Sequence, residues 1–180
     1  CSKQHEGYNL TVLQDFLREK DENKHHLSNM IRAVLLRQEN SRALIIRENF
    51  ENDGLFWIAC IQKAFPATHQ KTLSCSSYQF DPSSCSAVNV TLENTNFTLG
   101  ETEREYQFYV FDFVGNKYSQ MKLLSNDYAE IIANWMLNEP EKLSDFHQFS
   151  YWFNHQSLND ELLWLLRLFQ LSLGETFDFS

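Results

Sequence analysis

Apolar residues at helical spacing open the chain. Leu10, Leu13, Phe16 and Leu17 recur at intervals of three and four and predict an amphipathic helix over roughly residues 9–22. Leu27, Met30, Ile31, Val34 and Leu35 repeat the pattern for a second helix. Ser41 is placed to cap a third, short helix through Leu44, Ile45 and Phe50, after which Asn52-Asp53-Gly54 reads as a break. The apolar segment Leu55 to Phe65 fits a helix or a strand, with helix preferred, and stops before Pro66. Residues 66–86 carry no regular pattern.

The period then changes. Val88, Val90 and Leu92 alternate with polar residues, as in a half-buried strand. The run EYQFYVFDFV, Glu105 to Val114, is apolar or aromatic on both faces and predicts a strand covered on both sides. Gly115-Asn116 suits a hairpin that returns through Tyr118, Met121 and Leu123. Helical spacing resumes with Tyr128, Ile131, Ile132, Trp135 and Met136, and Glu139-Pro140 ends that element. Leu143, Phe146, Phe149, Trp152 and Phe153 outline the next. Ser157 and Asp160 resemble a capping box for a last helix, Leu158 to Leu173, closed by Gly174. That helix is apolar nearly all round, which predicts a central buried element. The expected fold class is α+β: N-terminal helices, a small three-stranded antiparallel sheet, then C-terminal helices. Residues 1–7 form a polar tether, and residues 8–180 a single globular domain.

Composition supports a packed domain and narrows its partners. The chain is 43% hydrophobic, with fifteen Phe, seven Tyr and four Trp, and only five Gly. Its net charge of −9, with 24 acidic against 15 basic residues, disfavours nucleic acid and anionic lipid as partners. A protein partner is expected, and a basic one is electrostatically suited. No apolar run reaches the roughly 18 residues that a membrane-crossing helix needs. No charged start leads into an apolar segment, so if the protein is exported its signal is expected to have been removed already.

The four cysteines sort by setting. Cys75 and Cys85 flank SSYQFDPSS, a turn-rich loop that a disulfide would close, contributing about 2–3 kcal/mol. Cys60 lies in LFWIACIQKAF and is expected as a buried free thiol. Cys1 is left without a partner. The opening CSKQ resembles the mature start of a bacterial lipoprotein. That resemblance implies acyl chains (palmitate among them) on Cys1, a removed signal, and an outer-membrane location facing the periplasm, with Ser2 as the sorting residue. The alternative is a secreted, extracellular eukaryotic chain, for which Asn9, Asn89 and Asn96 all match the N-glycosylation pattern.

The search for chemistry is mostly negative. Glycine-rich phosphate loops, nucleophile elbows and zinc-ligand spacings are absent from the sequence, so no cofactor and no metal is expected. The six His are expected as solvent-exposed imidazoles. Glu101, Glu103 and Glu105 would line one face of a strand edge in water. A secreted hydrolase using scattered carboxylates and a His is the enzymatic alternative. The richest feature is FHQFSYWFNHQ, residues 146–156. With Phe146, Phe149 and Phe153 inward, Ser150 and Tyr151 turn away, and Tyr151 and Trp152, flanked by His147 and His155, form a surface suited to binding protein. The expected role is an exported, anchored protein-binding module, such as an inhibitor or immunity protein or an accessory subunit of envelope machinery.

Overall fold

The computed structural model describes residues 8–77, 86–93, 106–119, 128–153 and 160–175. Helices α1 (Leu10–Arg18) and α2 (Asn23–Asn40) come first, as their spacing predicts. Asn9 caps α1 by accepting a hydrogen bond from the Thr11 amide at 3.2 Å. Ser41 does not cap a third helix. It closes α2 in the left-handed conformation, φ 58°, and turns the chain into strand β1, Ala43–Glu48. Six residues holding two adjacent isoleucines fit a strand better than a helix, and periodicity cannot separate the two over so short a run.

Next come α3 (Glu51–Lys63), a single turn α4 (Ala67–Gln70), β2 (Cys75–Ser76) and β3 (Val88–Leu92). β4 (Phe108–Asp112) and β5 (Lys117–Tyr118) complete the sheet, in the order β2-β3-β1-β4-β5. β1 pairs in parallel with both β3 and β4, and β2 is parallel to β3. Among the described residues only the β4–β5 hairpin, with Phe111 opposite Tyr118, is antiparallel. The expectation of three antiparallel strands is therefore corrected to five strands among the described residues, mostly parallel. Parallel pairs need long crossovers, and the helix between β1 and β3 supplies one. β3 is likewise not half-buried: Asn89 and Thr91 are as fully enclosed as Val88 and Val90.

Asn52-Asp53-Gly54 is no break. It forms the first turn of α3, where Asp53 suits the positive end of the helix. A Cβ on Gly54 would run into Val90 Cγ1, so glycine there lets α3 lie close on β3.

One sheet face, with Leu44, Ile46, Val88, Val90, Tyr109 and Phe111, joins a core shared with α1, α2 and α3. Helices α5 (Tyr128–Asn138), α6 (Pro140–Ser150) and α7 (Asp160–Ser172) add to the same core. α2 and α3 lie on the sheet, α5 packs on α2, and α6 and α7 pack outside α5. Ile45, Phe108 and Val110 form a smaller cluster on the opposite face. Lys24, Ser28 and Arg32 of α2 meet Asn134 and Glu130 of α5 at 3.0–3.7 Å, which fixes the register of those helices. Pro140 begins α6, where its missing N–H costs nothing. Gly174, φ 79°, ends α7, and the Glu175 amide donates back to the Gln170 carbonyl at 3.1 Å. Ser157, read as the α7 cap, and the strand residues Met121 and Leu123 lie outside the described residues.

α7 is not the central element. Leu162, Leu165, Leu166 and Phe169 are buried, but Trp164, Leu168, Leu171 and Leu173 are exposed. An all-round apolar helix on the outer layer leaves part of its apolar surface in water.

Candidate functional site

In open parallel sheets, ligand chemistry gathers outside the carboxyl ends of the strands. β1 and β4 end there in Glu48 and Asp112, both buried. Glu48 Oε1 accepts a hydrogen bond from Trp57 Nε1 at 2.7 Å. Burial pushes the Glu48 carboxyl up to about 7; the Trp57 bond opposes this, and nearby Asp53 adds to it. Asp112 faces Arg47 at 3.4 Å and accepts from the Gly115 amide at 2.8 Å, which ties down the hairpin turn.

His26 of α2 lies against the rings of Tyr118, Phe113 and Phe111 at 4.3, 5.1 and 6.4 Å. Its burial lowers the imidazole below its ordinary value, against the pull of Glu22. Burial, with the charges of Glu22, Glu48 and Asp112, raises the Tyr118 hydroxyl. Trp57 stacks on Phe113 at 5.2 Å and meets Phe16 edge-on at 4.9 Å. Glu48 thus has its partner inside a ring-rich core, whereas Asp112 is held by a partly exposed arginine and the hairpin turn. Sequence reasoning missed Glu48, because its position at a strand end follows only once β1 is read as a strand.

The predicted surface residues divide. Tyr151 and Trp152 stand 78% and 81% exposed just beyond α6, with Phe153 at 36%. His147 is not beside them on a wet rim. Its Nε2 is buried without a hydrogen-bond partner, and desolvation, then the Lys63 charge, push the imidazole down to about 4. Ser150, expected to turn away from the buried phenylalanines, is itself buried and donates to the His147 carbonyl at 2.6 Å. His155 lies outside the described residues. The expectation of exposed imidazoles fails at His26 and His69, 7% and 5% exposed; at His26 the rings of Phe111, Phe113 and Tyr118 enclose it.

Cys60 is fully buried, and burial pushes its thiol far up. Cys75 is a free thiol in this structure, raised to about 11 by burial, and it accepts from Gln62 Nε2 at 3.8 Å. Its expected partner Cys85 lies outside the described residues, as do Cys1, Asn96 and the carboxylates Glu101, Glu103 and Glu105. Asn89, one of the glycosylation matches, is wholly buried in β3 with its amide on the Ser86 carbonyl, which leaves no room for a glycan.

Exposed large apolar side chains concentrate at the C-terminal helices. Tyr151, Trp152 and Phe153 follow α6, and Trp164, Leu168 and Leu171 recur on α7 at intervals of four and three. That spacing lines them along one side of the helix. Phe149 of α6 meets Phe169 of α7 at 5.4 Å, so the two helices that carry these residues are packed together. Scattered exposed leucines are ordinary, whereas a Trp-Leu-Leu stripe along one helix is an exposed apolar patch of the kind that function has to account for.

No curated protein and no solved structure matches the chain. A family model does, over residues 13–115, a span that runs from α1 through β4 and includes His26, Glu48 and Trp57. Because that match covers more than half of the sequence, the chain belongs to the family described as GTPase-associated protein 1, middle domain.

Proposed function

We propose that this chain is a protein-interaction module working in company with a GTPase, and that α6 and α7 present its docking face. The observation carrying this is the exposed stripe Trp164, Leu168 and Leu171, with Tyr151 and Trp152 on the adjoining helix end. The family description supplies the kind of partner. The sheet and first helices, inside the matched span, are the scaffold, and the C-terminal helices lie beyond that span. An apolar stripe at this spacing suits a helix of the partner laid along it, with apolar residues on its facing side. The excess of acidic residues favours a partner that is basic around that contact.

A photoreactive phenylalanine analogue at Leu168, introduced in the native cell, should crosslink one dominant protein, and that protein should bind GTP. Trp164→Asp in the same chain should reduce the adduct at least tenfold. Equal capture from the polar position Glu141, or a dominant adduct that binds no nucleotide, defeats the reading.

A lipid anchor on Cys1 remains a separate proposal, supported only by the resemblance of CSKQ to a lipoprotein start. Protein made from the full native gene should then show an acyl-sized mass increment on Cys1. An unmodified Cys1, or a peptide bond to a preceding residue, removes the anchor and the outer-membrane location with it. Association with a GTPase favours a compartment that holds GTP, where the free thiols Cys60 and Cys75 also stay reduced.

A further inference from the structure

A cavity of about 180 Å³ lies at the amino edge of the sheet, between the last turns of α2 and the segment joining α3 to β2. Val34, Phe65 and Ala87 give it apolar walls, and Arg37, His69 and Thr72 give it polar ones. Thr72 Oγ1 already donates to the His69 carbonyl at 2.9 Å, and His69 Nδ1 sits 3.2 Å from Thr68 Oγ1. Arg37 differs. Its Nε is buried with no acceptor, and among the described residues no carboxylate pairs with it. The Nε atoms of Arg42 and Arg47 are likewise buried without an acceptor, but Arg47 faces Asp112, Arg42 donates to the Phe108 carbonyl at 2.6 Å, and Arg32 faces Glu130. In a chain of net charge −9, an arginine that lines a cavity with no carboxylate partner among the described residues is available to an anion. A buried donor without an acceptor is costly, and a planar oxyanion matches the guanidinium fork.

The size of the space decides the class of ligand. An apolar cavity of about 150 Å³ can hold a benzene molecule. This one is slightly larger and bears its cation on one wall. We propose that it binds a small monocarboxylic acid, with the carboxylate on Arg37 and an apolar body no larger than about a benzene ring against Val34, Phe65 and Ala87. A bare inorganic anion would leave the apolar walls wet, and a neutral ring would leave Arg37 unsatisfied.

Benzoate titrated into the ¹⁵N-labelled chain should move the amides of Val34, Arg37, His69 and Ala87 saturably and raise the melting temperature. Benzyl alcohol and inorganic phosphate should each bind at least tenfold more weakly. Arg37→Met keeps the apolar stem and should weaken benzoate at least tenfold, whereas Arg37→Lys should retain part of the affinity. Ala87→Val narrows the cavity with Arg37 in place and should also weaken binding, a second arm that does not depend on the folding of the Arg37 variants. No saturable shift with benzoate overturns the proposal. Benzyl alcohol or phosphate binding as well as benzoate, or affinity unchanged in Arg37→Met, does so too.

Discussion

Glu48→Gln should gain on the parent chain by about 3 kcal/mol between pH 4 and pH 8, read as the change in their stability difference from urea melts. The carboxyl is raised from an ordinary 4.5 to about 7 in the folded chain. Each pH unit of that difference corresponds to about 1.4 kcal/mol. A group raised on folding contributes stability that is complete below the unfolded value, here about 4.5, and lost as pH rises through about 7. Glutamine keeps an acceptor for Trp57 and has no proton to lose. His147 works in the other direction. Its folded value of about 4 lies below the ordinary 6.5, so the stability it brings is present above 6.5 and disappears as pH falls. In the parent the two slopes oppose each other over the shared acidic window, and the Gln variant should expose the His147 slope. A difference between Glu48→Gln and the parent that stays constant with pH shows that Glu48 is not the buried, partly protonated acid described here.

Trp57→Ala should cost about 3–5 kcal/mol, the range for removing a large ring from a packed core. Trp57 is 1% exposed and fills the space between Phe16 and Phe113. Its loss also strips Glu48 of the indole N–H, the strongest of the influences that favour the ionised carboxylate. The Glu48 carboxyl should therefore titrate higher still in the alanine variant. For a chain of this size the loss corresponds to a fall in Tm of about 6–20 °C. Calorimetry at pH 5 and pH 8 separates the two effects: the packing loss is common to both, and the carboxyl contribution is larger at pH 8. A fall of less than about 3 °C at both would mean that the ring is peripheral.

Much of the helical frame was legible. Leu13, Phe16 and Leu17 of α1, and Leu27, Met30, Ile31 and Val34 of α2, point into the core as their spacing requires. Gly115-Asn116 and Glu139-Pro140 are strong local signals, and each marks the turn or helix boundary expected of it. The sheet was harder to read. Its central strand, Ala43–Glu48, is too short for periodicity to separate from a helix, and that one misreading turned a parallel sheet into an antiparallel one. Gly54 misled in the same way: glycine signals a break locally, but here it answers to Val90 on a strand far along the chain.

The candidate site was legible where chemistry is local and opaque where it is tertiary. Tyr151 and Trp152 stand in water because a helix ends beside them, a property of residues 146–153 alone. The exposed half of α7 was missed because an all-apolar helix reads as core, and only the layer order shows that nothing described covers its outer side. His147, Glu48 and Arg37 owe their states to residues remote in sequence, so no inspection of their neighbours could have singled them out.

The outer strands of the sheet have a bearing on how anything can attach to it. Cys75–Ser76 and Lys117–Tyr118 offer only two paired residues each along their flanks. Within the described residues, edges of that length expose few backbone donors and acceptors to an added strand. On the described residues, the helical flank, with Trp164, Leu168 and Leu171, presents more exposed rings and branched carbons than these edges present main-chain amides.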